Sequence, residues 1–255
     1  MEGGMEAVTE ERITSRKNPA LQQVKLLLTS RRAREEAGRF VADGTKLLEE
    51  AVRYASLDTV ILSDGIQAEL PDHVRLIRVP EDVMASLSPM RTPQGALFTC
   101  ALPPDRPFVP RRGMLLLDGI QDPGNLGTML RTADALNVPV VLLEGCADPY
   151  SHKVVRASMG AVFRTPVVRA GWETVRRECT RAGIDVAVTA LSDRARDIRQ
   201  AELSEMAVVI GSEGQGVRRE ILEQADAELI IPMNSRCESL NAAVAAAIVM
   251  WQMVR

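Results

Sequence analysis

The stretch MLLLDGIQDPGNLGTMLRTAD, residues 114–134, sets an uninterrupted apolar run, Met114–Leu117, directly before a turn-forming segment and a helical pattern over residues 126–136. All-apolar runs of this length belong in a parallel sheet covered on both faces. The pattern recurs: further aliphatic runs stand at residues 140–143, 186–188, 208–210 and 229–231. Helical segments fall at residues 172–181 and 217–224, and a last one spans 240–254. Strands alternating with helices predict an α/β fold built on a parallel sheet.

In such sheets ligands gather outside the carboxyl ends of the strands, so the segments that follow each strand carry the chemistry. In the first, Asn125 is placed to cap a helix and Gly127 lies one turn before Arg131, so the guanidinium leans back toward the strand ends. Alone, the pattern equally describes a capped helix with a surface arginine. The second, Gly211-Ser212-Glu213-Gly214-Gln215-Gly216-Val217, packs three glycines around one acid. Its order is neither a dinucleotide fingerprint nor a phosphate-binding P-loop, and by itself it is also compatible with a tight turn. The third runs from Ile230 to Asn241 and sets Ser239 and Asn241 at the start of the Ala-rich terminal helix, where such residues ordinarily cap. The fourth, Thr189-Ala190-Leu191-Ser192, is small and polar and says little alone.

The chain has 255 residues, 46% hydrophobic and 25% charged, enough for a sizeable core and unlike a disordered or disulfide-framework chain. A net charge of −3 excludes a uniformly basic nucleic-acid binder but leaves local patches open. One such patch lies between Glu11 and Phe40, where Arg12, Arg16, Lys17, Lys25, Arg31, Arg32, Arg34 and Arg39 face only Glu11, Glu35 and Glu36. It reads either as a solvated helical face or as a phosphate-contacting surface. Cys100, Cys146, Cys179 and Cys237 are scattered and the two histidines, His73 and His152, lie apart, so no metal site or disulfide framework is expected. The acidic first ten residues lack the apolar stretch of a secretory signal, and the apolar run at 242–251 is too short for a bilayer span. A soluble cytoplasmic protein with no membrane partner is expected. The proline-rich stretch at 103–110 reads as an interdomain linker.

Taken together, the downstream segments resemble the three motifs of the SpoU (TrmH) branch of the SPOUT methyltransferases, which methylate ribose 2′-hydroxyls of RNA with S-adenosylmethionine. The match spans residues 114–252 and includes Ser151 to Ala161, similar to the family's helix between its first two motifs. Upstream, Ile13-Thr14-Ser15-Arg16-Lys17-Asn18-Pro19 and Pro93-Gln94-Gly95 resemble more loosely an L30e-like substrate-binding domain. The resemblance implies an L30e-like α/β domain at 1–102, a linker at 103–112, and a SPOUT domain at 113–255 holding a deep trefoil knot. It implies that S-adenosylmethionine is held by Thr189, Ala190, Leu191, Gly211, Glu213, Gly216, Ile231, Met233 and Leu240. The polar set carried over is Asn125, Arg131, Glu213, Ser239 and Asn241. The loop reads Gly-Ser-Glu where many members have Gly-Asn-Glu. The implied partners are RNA, ribosomal rather than transfer, contacted by Arg16, Lys17, Arg31, Arg32 and Arg34, and a second copy of the chain through the terminal helix. A transfer-RNA substrate and a non-catalytic RNA-binding protein are the alternatives.

Overall fold

A computed structural model describes residues 10–234 and 236–255. Residues 1–9, on which most of the signal-peptide argument rests, and Ser235 of the third motif lie outside the described residues. The chain divides into two compact units: one holds the chain up to Pro103 together with Tyr150–Arg164, the other Pro104–Pro149 with Thr165–Arg255.

The first unit is a five-stranded mixed sheet of β1 (Glu10–Arg12), β2 (Arg39–Asp43), β3 (Leu57–Ser63), β4 (Arg75–Val79) and β5 (Ala96–Ala101), in the order β1-β4-β3-β5-β2. β4 pairs in parallel with β1 and β3, whereas β5 is antiparallel to β3 and β2. Helices α1 (Pro19–Thr29), α2 (Arg31–Ala37), α3 (Thr45–Tyr54) and α4 (Glu81–Leu87) accompany it. Leu21, Val24, Leu27 and Leu28, at helical spacing along α1, are buried against Val41, Ile61 and Ile77.

The second unit is a seven-stranded sheet. Its strands are β6 (Met114–Leu117), β7 (Val140–Leu142), β8 (Val168–Arg169), β9 (Val186–Thr189), β10 (Arg196–Asp197), β11 (Ala207–Ile210) and β12 (Ala227–Ile230). Every pairing in the order β10-β12-β9-β11-β6-β7-β8 is parallel. β6 and β11 are buried at every position, as all-apolar strands covered on both faces must be. Alternate residues Met114, Leu116, Val186, Val188, Ala207 and Val209 pack with Trp172, Val175 and Cys179 of α8 (Trp172–Ala182). The opposite side is taken by α5 (Pro123–Leu136) and α10 (Ala242–Val254), which pack on each other, α10 also meeting β11.

Three local readings are corrected. Asp122, not Asn125, caps α5: its carboxylate accepts Asn125 N–H at 2.8 Å and Pro123 opens the first turn with its φ preset. The Asn125 amide is thereby released for other use. The inter-motif segment forms two short helices, α6 (His152–Ala157) and α7 (Ala161–Arg164), broken where Met159 and Gly160 take φ of 50° and 87°. This segment packs with the first unit because Tyr150 and Phe163 lie against Phe40 of β2, with centroids 5.1 and 6.1 Å away, and Phe163 also meets Phe98 of β5 at 6.5 Å. The helix expected over 217–224 starts only at α9 (Arg219–Gln224).

Asp226, just before β12, accepts two hydrogen bonds from Arg176 (2.6 and 2.9 Å) and one from Val186 N–H (2.8 Å), tying α8 to β9. The Arg176 guanidinium holds the Asp226 carboxyl below the usual carboxylate range against the opposing effect of burial. A depressed folded-state value contributes stability that is present above the unfolded value and lost as pH falls through the folded one. Asp226→Asn is expected to cost about 1–2 kcal/mol in urea unfolding at neutral pH. The gap to wild type should close as pH drops below the ordinary carboxylate range; an unchanged gap at the acid end would refute the assignment.

Candidate active site

Three loops meet at the carboxyl ends of β9, β11 and β12 and enclose a cavity of about 510 Å³. All nine residues expected around the cofactor line it: Thr189, Ala190, Leu191, Gly211, Glu213, Gly216, Ile231, Met233 and Leu240, with Ser239 alongside. The loop after β11 doubles back on itself, Ser212 and Gly216 exchanging backbone hydrogen bonds of 2.9 and 3.1 Å. In doing so it carries the backbone of Gly216 and Val217 against the α-carbon of Gly211, into the space a Cβ would need. Gly216 takes φ of 67°, a left-handed conformation that favours glycine. Thr189 adds a side-chain bond to the Val209 carbonyl (3.2 Å), and Ala190 N–H reaches the Leu229 carbonyl (2.9 Å).

The wall also carries polar groups that sequence reasoning missed. Glu228 of β12 faces the cavity, with Arg194 at 2.8 Å and the Ser192 hydroxyl donating to its other oxygen. An acid inside an otherwise apolar strand was the available signal.

At the rim, the structure joins residues from all three motifs. The Asn241 amide nitrogen donates to Glu213 Oε1 (2.9 Å) and to Asn125 Oδ1 (3.1 Å), while the Asn125 amide donates to the same Glu213 oxygen. Asn241 Oδ1 meanwhile accepts from Ala243 and Val244 N–H at 3.0 and 3.2 Å, capping α10. The cap therefore decides which end of the amide faces Glu213: the oxygen is taken by the helix, so the nitrogen turns to the carboxylate. Capping and site-building are one arrangement.

Behind the loop, Asp118 is buried at the end of β6 and accepts from Arg218 Nε (2.6 Å) and Arg218 N–H (2.8 Å). Arg218 also reaches Glu144 at 2.7 Å. Partial burial opposes ionisation of Glu144, but hydrogen bonds from backbone N–H groups and Arg218 outweigh it and keep its carboxyl below the usual range. This pair anchors the far end of the loop that carries Glu213. Three of the four thiols are not candidates for nucleophiles: burial pushes Cys100 up to about 12 and Cys146 and Cys179 up to about 11.

Arg131 is exposed on α5 and makes no hydrogen bond or ion pair among the described residues, so the chain by itself does not bond it to the Asn125–Glu213–Asn241 group. Ser239 borders the cavity but does not cap α10. Between α5 and α10, Asn125, Thr128 and Asn241 adjoin a shallow groove with Val244, Ala247, Ile248 and Trp251. Val244 and Trp251 are 49% and 62% exposed.

In the first unit, Arg16, Arg31 and Arg32 are exposed but paired with Asp82, Glu35 and Glu36 at 2.5 to 2.7 Å, and Lys17 is exposed. Arg34 is corrected: it is 5% exposed and donates to the Leu27 carbonyl at 2.6 Å, because its position on the inner side of α2 turns the guanidinium onto the end of α1.

Residues 113–251 match the family model described as SpoU rRNA Methylase family, and residues 18–97 match the MRM3-like substrate binding domain. The chain is 35% identical, over 95% of its length and 99% of the relative's, to the 23S rRNA (guanosine(2553)-2′-O)-methyltransferase RlmP of Bacillus subtilis. Its fold is similar to that of a putative RNA methyltransferase of the TrmH family from Porphyromonas gingivalis, with TM-score 0.82, 30% identity, and 93% and 97% of the two chains covered. It is also similar to an AdoMet-bound rRNA methyltransferase from Sinorhizobium meliloti, with TM-score 0.83, 29% identity and 98% of each chain covered. With the three motifs joined at one cavity and more than half of the residues under a single family model, this chain belongs to the SpoU rRNA methylase family.

Proposed function

We propose that the protein transfers a methyl group from S-adenosylmethionine to a ribose 2′-hydroxyl of ribosomal RNA, acting in the cytoplasm. The observation that carries this reading is the cavity at the strand ends with the Asn125–Glu213–Asn241 group at its rim. The relationship to RlmP favours ribosomal over transfer RNA.

The lining fits the cofactor. A volume of about 510 Å³ lies within the ~300–1,000 Å³ of small-molecule sites. Leu191, Ile210, Leu229, Ile231, Met233 and Leu240 offer an apolar surface to an adenine and a thioether chain, while Glu213 brings negative charge suited to a sulfonium or an ammonium, the charge of Glu228 being already met by Arg194. Bound S-adenosylmethionine supplies a methyl on a positively charged sulfur, a good leaving group that a sugar oxygen can displace. The close backbone approach at Gly211 shapes the pocket. In the family's arrangement this region forms a deep trefoil knot, and the parallel sheet with the looped-back segment after β11 is in keeping with one.

Positioning then dominates the rate. Glu213, held by two amides through one oxygen, orients Asn125 and Asn241 at the mouth. Arg131, without an internal partner, is available to clamp the target phosphate and the 2′-oxygen; a guanidinium, charged at any ordinary pH, is suited to stabilising an oxyanion rather than taking a proton. Ser239 completes the polar rim. The exposed Val244 and Trp251, beside Asn125 and Asn241, support a homodimer in which α10 is covered by a second copy and Arg131 of one chain serves the neighbour's cofactor.

Three outcomes are expected. Gly211→Ala should abolish S-adenosylmethionine binding in calorimetry, because the new methyl collides with backbone; retained affinity would remove the cavity from the reading. Arg131→Lys and Glu213→Gln should each lower labelled-methyl transfer about 100-fold, the effect of misplacing reacting groups by about 1 Å; near-wild-type turnover would eliminate the role of the residue concerned. Val244→Glu combined with Trp251→Glu should convert a dimer to a monomer in light scattering, and a wild-type monomer at micromolar concentration would end the dimer claim.

A further inference from the structure

The cations predicted to hold RNA largely carry their own counter-charges, since Arg16, Arg31 and Arg32 stand in ion pairs and Arg34 is buried. A different surface of the same unit does not. Lys46 on the first turn of α3, Arg91 in the loop before β5, and Lys153 and Arg156 on α6 are all exposed, and none has an ion-pair partner among the described residues. Two hydrogen bonds bring their three segments together. Ser88 Oγ donates to Asp43 Oδ2 at 2.6 Å, pinning the loop to the end of β2, and Arg156 contacts the Met90 sulfur, pinning α6 to the same loop. The sulfur is neutral, so Arg156 keeps its full charge.

The acids nearby, Asp43 among them, offset only part of this. Burial pushes the Asp43 carboxyl up, while the Ser88 hydrogen bond and the charges of Arg156 and His152 oppose that rise. Glu50 is bound by Arg164, leaving Glu49 on α3 exposed. Four cations thus outnumber the available carboxylates across a surface made from residues more than a hundred positions apart in sequence.

We propose that Lys46, Arg91, Lys153 and Arg156 form the surface by which the first unit grips an RNA phosphate backbone. The inference rests on the RNA-methyltransferase reading and adds to it the place of contact. Polyanion binding is driven by counterion release, which requires cations not already neutralised by the protein. α6 belongs to this surface although its residues lie between the catalytic motifs in the chain, so RNA contact and the sequence joining motifs one and two are coupled by construction.

The test compares full-length Lys46→Gln/Arg91→Gln/Lys153→Gln/Arg156→Gln with Arg16→Gln/Arg31→Gln/Arg32→Gln, using anisotropy with an unmodified 23S rRNA transcript across a salt series, and calorimetry with S-adenosylmethionine. All seven side chains are exposed, so folding should survive, and unchanged cofactor affinity verifies it. The quadruple variant is expected to bind RNA at least about 30-fold more weakly, with a log–log salt slope shallower by about three, while the triple variant stays within about threefold. A quadruple variant with wild-type slope and affinity overturns the surface while leaving methyl transfer untouched. Loss of RNA binding by the quadruple variant in a protein that takes no cofactor would uphold the surface and sink the methyltransferase reading instead.

Discussion

The site depends on one close approach: the chain at Gly216–Val217 passes against the α-carbon of Gly211, where any side chain would stand in its way. A tightly looped segment follows, held by reciprocal backbone bonds between Ser212 and Gly216 and anchored at its far end by Arg218 on the buried Asp118. Removing Arg218 would leave the buried Asp118 carboxylate without its partner, so the anchor is not easily exchanged. With both ends held, Glu213 stands at a defined height above β11, and the floor of the cavity is open backbone and aliphatic side chains.

Around that carboxylate the polar groups economise. Asn241 caps α10 with its oxygen and steadies Glu213 with its nitrogen; Asn125, relieved of capping by Asp122, supplies a second amide to the same oxygen. The three residues sit on α5, the loop after β11 and the start of α10, and the mutual packing of α5 and α10 keeps their backbones in register. Arg131 is the exception. Six residues beyond Asn125 on α5, it is about 9 Å further along the axis and exposed.

Much of this was legible in the primary structure. Aliphatic runs at 114–117 and 208–210 marked β6 and β11 and three glycines marked the loop, because each is a local rule of backbone freedom or of burial on both sides. The residues that misled did so at points where two local rules compete. Asn125 and Asp122 are both good capping residues, and only the position of Pro123 in the first turn decided between them. Arg34 belonged to a basic run, but helix phase placed it on the inner side of α2. Glu228 and Asp118 were assigned no role, although the first is an acid inside an apolar strand and the second directly follows one.

The amino-acid order by itself determined the α/β class, since strand burial and helix periodicity act over a few residues at a time, while the family and the cavity-lining residues came from the resemblance of the downstream segments to the SpoU motifs. Only tertiary structure decided that residues 150–164 join the first unit, because that depends on Phe40 accepting two aromatic rings from more than a hundred positions away. Tertiary packing likewise decided which cations keep an uncompensated charge, a property set by what folds next to each side chain and not by its neighbours along the chain.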